Sequence, residues 1–363
     1  MTDREQALIQ LIRSNPFMSQ QEMAEKLKMS RPALANLISG LVKQGKIVGR
    51  AYILPEENYI VCIGGANIDR KFHIRGPVQF GTSNPVSSMQ SVGGVARNIA
   101  ENLGRLNNKV SLITTAGKDT DWQAIVTASE AFINLKEVEQ LQDFSTGSYS
   151  AIMDESGELI LATANMDVYE ELKPIILMKH DMLLSTAPCI IVDLNCPRET
   201  VEYVQQFAIA RDVPIVIVPV SSPKMDRLPD TLQGVTWFIC NTDEAETLLH
   251  KKIQTAADYL QALPEIMELG AENVIITAGA KGVYVASKDL KPTHYNAKPV
   301  EDIKDVTGSG DAFVSAVIHS WLANMPIEQA VQAGLMNAKR TLESPHTVRP
   351  ELTEDLLKKE LED

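Results

Sequence analysis

A glycine-rich turn between two aspartates, residues 305–311, is the segment of the sequence whose residue types best suit catalysis. Its last residue, Asp311, falls in the first turn of a predicted apolar helix, directly after Gly308, Ser309 and Gly310. Backbone N–H groups at the start of a helix have no partner within the helix, so together with the helix dipole they favour a bound anion. A carboxylate beside them can accept a proton from an attacking hydroxyl group. The turn therefore indicates phosphoryl transfer, although an ordinary helix cap uses the same residue types.

Oxygen ligands follow the predicted strand at residues 237–240. Asn241 and Glu244 place a carboxamide and a carboxylate at its carboxyl end, and Mg2+ prefers such ligands while keeping several of its waters. The alternative is structural, because Thr242 with the acids after it is also a good helix start. The loop at residues 277–282 contains two glycines, which suits a close approach of the backbone to a nucleotide, but by itself it is only a hairpin.

Polar residues that follow the first predicted strand, residues 59–64, form a candidate substrate site. Asn67 and Asp69 share one face of an extended segment, because alternate residues of a strand point the same way. A carboxamide and a carboxylate can bind vicinal hydroxyl groups through several hydrogen bonds. Gly93 and Gly94 precede a predicted helix and would let a sugar approach the backbone. The alternative for Asp69 is a structural role in the turn.

Short apolar runs alternate with helical patterns from residue 59 onwards, which indicates an α/β fold: a mostly parallel sheet covered by helices on both faces. Strands are predicted at residues 59–64, 109–113, 190–193, 213–218, 237–240 and 273–277. Helices are predicted at residues 95–106, 199–211, 242–250 and 255–269. Residues 148–153 and 158–162 flank a turn and, with residues 71–74, predict a small antiparallel flap. This lid spans about residues 69–85 and 146–163.

The first 54 residues have a different character from the rest of the chain. They carry a net charge of +4, whereas the remainder carries -17 of the total of -13. Helices are predicted at residues 4–13, after Ser19 with a capping box to Glu22, and from Ser30 onwards. Residues 45–54 alternate like a hairpin wing, residues 55–58 form a linker, and residues 59–363 form the main domain.

Three helices and a hairpin resemble a winged helix-turn-helix domain, which implies DNA binding. Its third helix would enter the major groove. The residues it would present to the bases are Ser30, Arg31, Ala33 and Asn36, and those that would meet phosphates are Lys43, Lys46 and Arg50. The alternative is a helical oligomerisation module whose basic residues are only solvated.

Composition excludes several other classes of protein. The 363 residues contain no apolar run of roughly 18 residues that could span a bilayer, and the polar N-terminus lacks the apolar core of a secretory signal. The four cysteines form no CxxC pair, and the six histidines show no zinc-ligand spacing, so a cytoplasmic location is expected. Neither GxxxxGK[ST] nor GxGxxG occurs, which argues against a P-loop enzyme and a dinucleotide dehydrogenase.

Three motifs in this order resemble the ribokinase-like (PfkB) carbohydrate kinase family. They are the string GGVARN at residues 93–98, the NxxE pair of Asn241 and Glu244, and the string DVTGSGD at residues 305–311. The resemblance runs from about residue 59 to about residue 346. It implies an ATP-dependent kinase with a ribokinase-like fold.

The resemblance also implies roles for individual residues. Asp311 would be the catalytic base, and Gly308, Ser309 and Gly310 would form the anion hole. Sugar hydroxyls would be bound by Asn67, Asp69, Gly93, Gly94 and Asn98. Asn241 and Glu244 would organise Mg2+ and its waters. The residues along ATP would be Asn241, Thr277, Gly279, Gly282 and Asn337, and a monovalent cation such as K+ would lie at Asp305 and Thr307.

Further segments resemble the pseudouridine kinase group within the family. They are residues 65–69, 82–85, 93–103, 146–149 and 218–224. In that group Ser83 and Lys224 would contact the uracil-like base. The favoured expectation is therefore a pseudouridine 5′-kinase, with a ribokinase or another nucleoside kinase as one alternative. A transcription regulator that only senses a sugar or nucleoside is the alternative of another class. A homodimer is expected, because the flap leaves sheet edges exposed in a monomer.

Overall fold

The computed structural model describes residues 2–15, 18–48 and 58–362. The chain divides into two compact units: residues 1–58 with residues 181–186, and residues 59–180 with residues 187–363. Within the described ranges, no helix is long and apolar enough to cross a membrane.

Three helices form the N-terminal part of the first unit, as the sequence predicts: α1 (Asp3–Ser14), α2 (Gln20–Lys26) and α3 (Arg31–Lys43). Ser19 caps α2 in the predicted capping box with Glu22, and Ser30 caps α3. The three helices share one apolar cluster, whose buried members are Leu8, Ile12, Met18, Met23, Ala24, Leu34, Ile38, Leu41 and Ile47.

The predicted wing and linker fall mostly outside the described residues. Residues 45–48 form a turn and irregular chain, whereas the rest of the wing, residues 49–54, and residues 55–57 of the linker are not among the residues described. The domain boundaries at residues 54 and 59 therefore stay a prediction.

The second unit is an α/β domain with helices and strands alternating along the chain. Its strands are β1 (Ile60–Ile63), β2 (Asn67–Ile74), β3 (Val86–Gly93), β4 (Val110–Ile113), β5 (Thr115–Gly117), β6 (Glu139–Leu141), β7 (Ser148–Met153), β8 (Leu159–Asn165), β9 (Ile190–Asp193), β10 (Ile215–Val218), β11 (Trp237–Asn241), β12 (Asn273–Thr277), β13 (Val283–Ser287) and β14 (Thr293–Tyr295).

The helices after α3 follow in chain order. They are α4 (Val95–Arg105), α5 (Thr120–Ser129), α6 (Pro174–Leu177), α7 (Asp181–Ser185), α8 (Arg198–Arg211), α9 (Thr242–Leu249), α10 (Ala256–Glu268), α11 (Ser309–Leu322), α12 (Ile327–Leu342) and α13 (Glu354–Glu362). The short helix α7 falls within the first unit.

The main sheet has eight strands in the order β14-β13-β12-β11-β10-β9-β1-β4. The six strands predicted from apolar runs are its parallel part, and β13 and β14 add an antiparallel edge. Alternate strand residues pack against α4, α11 and α12 in one large apolar cluster. The intervening strand residues are buried as well, so both faces of the sheet are covered. The predicted fold class is confirmed.

The flap is a four-stranded sheet with the order β3-β2-β7-β8. Strands β2 and β7 pair in parallel, so the expectation of an antiparallel flap was wrong at its centre; only the outer pairs are antiparallel. The sequence prediction also missed β3, which pairs with β2 along its whole length. Its serine-rich segment is mostly exposed and therefore carries no apolar alternation.

Candidate active site

The glycine-rich turn leads into α11, as predicted. Gly308 is the N-cap residue and has a φ of +83°, which favours glycine. A Cβ there would lie 2.2 Å from the Thr347 carbonyl oxygen, so the turn is packed too closely for any other residue. The backbone N–H groups of Gly310 and Asp311 have no hydrogen-bond partner among the described residues. Ser309 instead donates its N–H and hydroxyl group to the Val306 carbonyl. The start of α11 therefore offers unpaired donors for an anion.

Asp311 lies beside those donors and is held by a residue from another helix. The Asn98 side-chain amide of α4 donates to Asp311 Oδ2 over 2.8 Å. Burial raises the pKa of Asp311 to about 7, although the bond from Asn98 opposes the rise. A carboxylate with a pKa near neutrality suits a general base. The structure thus joins one predicted substrate residue directly to the predicted base.

The orientation of Asn98 is fixed by a buried ionic chain that sequence reasoning missed. Arg97 donates to Asn98 Oδ1 over 3.0 Å and forms an ion pair with Glu101. Because a guanidinium group can only donate, the Asn98 oxygen faces Arg97 and its NH2 group faces Asp311. The string at residues 93–98 contains Arg97, but nothing in its spacing indicated that role.

The predicted substrate pair on β2 is formed as expected. Asn67 donates to Asp69 Oδ1 over 2.7 Å, and burial raises the pKa of Asp69 to about 6. Gly93 pairs with Asn67 across β2 and β3, and a Cβ on it would lie 2.2 Å from Asp69 Oδ2. Gly94 has a φ of +97° and would bring a Cβ within 2.4 Å of the Gly65 carbonyl oxygen. Gly93 therefore packs closely against Asp69, and Gly94 packs closely against the backbone of the turn after β1.

A fully buried carboxylate at the end of β9 connects this site to the main sheet. Asp193 accepts hydrogen bonds from the backbone of Gly65 and Ala96 and from both the backbone and side chain of Asn195. It therefore fixes the turn after β1 and the start of α4 together. Its place at the carboxyl end of a parallel strand is where ligand sites form in such sheets, and that rule could have identified it from the sequence.

Lys224 and Ser83, the two residues expected to contact the uracil-like ring of the substrate, lie in different surroundings. Lys224 follows β10 and donates a hydrogen bond to Asn195 Oδ1, so it lies at the same sheet edge as Asp193. Burial lowers the pKa of Lys224. Ser83 lies in an exposed loop between β2 and β3, and no described hydrogen bond or ion pair connects it to the other site residues.

Asn241 and Glu244 form a reciprocal capping box at the start of α9. Asn241 Oδ1 accepts from the Glu244 N–H over 2.9 Å, and Glu244 accepts from the Asn241 N–H over 2.8 Å. Burial raises the pKa of Glu244 to about 7. The residues thus serve the helix start, and their hard oxygens fit Mg2+ held through water, since carbonyl and carboxylate oxygens have further lone pairs. No cluster of three or more His, Cys, Asp or Glu suited to a metal occurs among the described residues.

The loop at residues 277–282, predicted to lie along a nucleotide, follows β12 and lies next to Asn241. Thr277 and Asn241 are paired across β12 and β11, so these strand ends meet. Gly279 has a φ of +55° and open space where a Cβ would lie, whereas a Cβ on Gly282 would be 2.0 Å from the Tyr295 carbonyl oxygen. Gly279 is therefore open to a ligand, and Gly282 is needed for packing against β14.

The structure does not support the expected contact between Asn337 and ATP. Asn337 is fully buried in α12. It donates to Asn102 and to the Ala312 carbonyl, and accepts from Arg349. All of its hydrogen-bonding groups serve the packing of α11, α12 and the C-terminal segment, so it has no free group to offer a nucleotide.

The two residues predicted to hold a monovalent cation have other partners. Asp305 Oδ1 accepts from the N–H and the hydroxyl group of Thr307, and Asp305 Oδ2 accepts from Lys71 Nζ over 2.6 Å. Burial alone would raise the pKa of Asp305, but the bonds from Lys71 and Thr307 outweigh it and lower that pKa. Lys71 was not among the predicted site residues, although it lies two residues after Asp69 on the same face of β2.

Comparison with known proteins decides the family. A model of the pfkB family carbohydrate kinases matches residues 57–354. The chain belongs to this family. A winged helix-turn-helix DNA-binding model matches residues 1–48. Both resemblances stated from the sequence are confirmed.

Relatives of this pfkB-family kinase include two proteins of Escherichia coli strain K12. The uncharacterized sugar kinase YeiI is 28% identical over 95% of this chain and 96% of its own length. A pseudouridine kinase is 27% identical over 82% of this chain and 95% of its own. The structure of Arabidopsis thaliana ribokinase complexed with ribose and ATP matches with a TM-score of 0.74 at 18% identity, over 84% of this chain and 99% of that one. This last match shows the shared ribokinase-like fold.

Proposed function

We propose that this pfkB-family kinase transfers the γ-phosphoryl group of ATP to the 5′-hydroxyl group of pseudouridine, with Asp311 as the base. The observation that carries the proposal is the hydrogen bond from Asn98 to Asp311 beside the unpaired N–H groups at the start of α11. The bond joins the side chain proposed to bind a substrate hydroxyl group to the proposed base, next to the proposed anion site. The similarity to a pseudouridine kinase supports the choice of substrate.

In the proposed reaction, Asn67, Asp69 and Asn98 bind the ribose hydroxyl groups, which the backbone at Gly93 and Gly94 also approaches. Asp311 accepts the proton of the 5′-hydroxyl group as the hydroxyl oxygen attacks the γ-phosphorus in line, and the bond from the γ-phosphorus to the β,γ-bridging oxygen breaks to release ADP. Charge then builds up on the equatorial phosphoryl oxygens. Donors fixed in advance stabilise such charge without reorganising; here these are the unpaired N–H groups of Gly310 and Asp311, in the turn that Gly308 and Ser309 form.

At the nucleotide end, Thr277, Gly279 and Gly282 lie along ATP, and Asn241 and Glu244 hold Mg2+ through its waters. An Mg2+ ion held there would supply positive charge next to the β- and γ-phosphoryl groups. Lys224 and Ser83 contact the base of the nucleoside, with Lys224 as the better placed of the two. We do not extend the proposal to a potassium ion at Asp305 and Thr307.

Substrate preference tests the proposal. The purified full-length protein is incubated with ATP and Mg2+ and with pseudouridine, uridine, inosine or ribose as acceptor, and ADP release is followed. We expect the highest kcat/KM with pseudouridine and phosphorylation at the 5′ position. Preference for ribose or inosine would replace pseudouridine with a ribokinase or nucleoside kinase assignment. No transfer to any acceptor would favour a regulator that only senses the ligand.

The N-terminal domain, residues 1–54, is proposed to bind DNA. The match to a winged helix-turn-helix model supports this proposal, as does the exposure of Arg31 and Lys43. Because phosphate contacts release counterions, the affinity should fall steeply with salt. A mobility-shift titration with the DNA upstream of the coding region, repeated at several salt concentrations, tests it. Affinity that is no higher than for unrelated DNA would contradict specific operator binding.

A homodimer through the flap is also proposed. Large apolar side chains on the edge strand β8 and in the loop after β2 are more than half exposed: Leu159, Leu161 and Phe80. An exposed apolar patch of this kind marks an interaction site. Sedimentation of the wild-type protein and of Leu161→Glu tests the interface, since the charge should favour the monomer. A location in the cytoplasm remains part of the proposal, and all four cysteines are free and buried.

A further inference from the structure

The position predicted for a monovalent cation, next to Asp305 in the phosphate-binding turn, is occupied by the ammonium group of Lys71. Asp305, the first residue of the turn, has one carboxylate oxygen occupied by Thr307 and the other by Lys71. A lysine ammonium is a compact monovalent cation with three donors. The ammonium group of Lys71 lies within hydrogen-bond distance of Asp305. It therefore neutralises the carboxylate that a bound metal cation would otherwise neutralise. The donor set therefore does not fit an additional monovalent ion.

Lys71 is fixed in place by its strand. β2 is an inner strand of the flap, and Lys71 is paired on one side with Met89 of β3 and on the other with Ala151 of β7. Its side chain is 33% exposed and that of Asp305 is 24% exposed, so the pair is partly removed from water. An ion pair in such a position is screened less by salt than one on the open surface.

The strand also determines what else faces the turn. Asn67, Asp69 and Lys71 are alternate residues of β2 and share one face. One strand thus carries the proposed sugar-binding pair and the cation that meets the turn leading to Gly308 and Asp311. Arg70 points to the other face and pairs with Asp121 over 2.5 Å. The neighbouring arginine is therefore a matched control, because it is on the same strand but does not contact the turn.

We propose that Lys71 is a built-in cation that replaces a monovalent metal ion at the phosphate-binding turn. As a positioning residue, it neutralises Asp305 and holds the turn in the geometry that binds the transferring phosphoryl group. The inference rests on the proposed function. It predicts that phosphoryl transfer by the wild-type protein does not depend on potassium, and that removing the ammonium group creates such a dependence.

The test compares potassium chloride with tetramethylammonium chloride at constant ionic strength. The wild-type rate should be the same in both salts. Lys71→Met should be slower in tetramethylammonium by about tenfold or more, which corresponds to about 1.4 kcal/mol, and potassium should restore most of that loss. Lys71→Arg retains the charge and Arg70→Met leaves the turn intact, so both should be independent of potassium.

A second measurement needs no catalysis. A ligand that binds only the folded state raises the unfolding midpoint, so potassium should raise the Tm of ligand-free Lys71→Met and leave the wild-type Tm unchanged. Wild-type activation by potassium would overturn the inference, and so would a Lys71→Met variant with normal activity or with a defect that potassium does not repair. If no acceptor is phosphorylated, the proposed function fails, while the Tm comparison still decides the role of Lys71.

Discussion

Replacing Asp311 with asparagine should greatly slow catalysis and stabilise the protein at the same time. Burial raises the pKa of Asp311 from an ordinary value of 3.8 to about 7. The folded protein thus binds the proton more tightly than the unfolded chain, and the ionised carboxylate opposes folding. This cost is fully present above pH 7 and disappears as the pH falls through 7 towards 4. At about 1.36 kcal/mol per pH unit the ceiling is roughly 4 kcal/mol at pH 8.

Asparagine removes that cost while keeping the contact with Asn98, because the amide oxygen can still accept the 2.8 Å hydrogen bond. Thermal unfolding of ligand-free wild type and Asp311→Asn should be followed from pH 5 to pH 9. For a domain of this size we expect about 2 °C per kcal/mol, hence an increase of about 4–8 °C at pH 8. The difference should shrink steadily towards pH 5. The loss in kcat should be about 100- to 10,000-fold, as for other general bases.

Asp154 provides a control of opposite sign. It accepts hydrogen bonds from Ser156 and from the backbone in the exposed turn between β7 and β8, and these lower its pKa. Its carboxylate therefore favours the folded state at neutral pH, and Asp154→Asn should leave the Tm at pH 8 unchanged or reduce it. Equal Tm values for wild type and Asp311→Asn at pH 8 would refute the reasoning. A difference that did not depend on pH would refute it too, because Asp311 would then not be a buried, ionised base.

Three further predictions follow from the same site. The kcat/KM should rise with pH to a plateau above about 7, because Asp311, whose pKa is raised to about 7, must be ionised; a flat profile between pH 5 and 8 would contradict this. Gly308→Ala should lower the free energy of unfolding by about 1–3 kcal/mol, since its backbone is left-handed and a Cβ would meet the Thr347 carbonyl. Gly310→Ala, with open space at that position, should not lower the Tm. Glu244→Gln should weaken the apparent Mg2+ affinity in rate measurements by about tenfold or more, and an unchanged Mg2+ dependence would remove Glu244 from the metal site.

The sequence was sufficient to predict the elements that carry the site and the residues at their ends. Asn67 and Asp69 follow an apolar strand, and Asp311 begins an apolar helix. Local periodicity and turn chemistry determine such features, so they can be deduced without knowing the fold. The hydrogen bond from Asn67 to Asp69 could likewise be anticipated, because it joins alternate residues of one strand.

Contacts between distant segments could not be deduced in this way. Lys71 and Asp305 are 234 positions apart, and their pairing depends on how the flap strand β2 lies relative to the turn before α11. The strand β3 was missed for a related reason: its register comes from pairing with β2, while its own residues are exposed and carry little pattern. For Asn337 the prediction erred in the other direction. The family resemblance suggested a contact with ATP, but the side chain is buried and makes its hydrogen bonds within the packing of α12.

The chain from Glu101 to Asp311 explains why the base has a pKa suited to its task. Burial alone would keep the Asp311 carboxyl protonated at neutral pH, and the nearby carboxylates of Asp193 and Asp69 act in the same direction. The Asn98 amide opposes them, because it donates to the ionised form. Arg97, which is paired with Glu101, donates to the Asn98 oxygen and so turns its amide towards Asp311, and the positive charge of Arg97 also lowers the pKa of Asp311. Arg97 and Glu101, which have no proposed contact with either substrate, thus help to keep the pKa of Asp311 near 7, where the carboxyl group can both accept and release a proton.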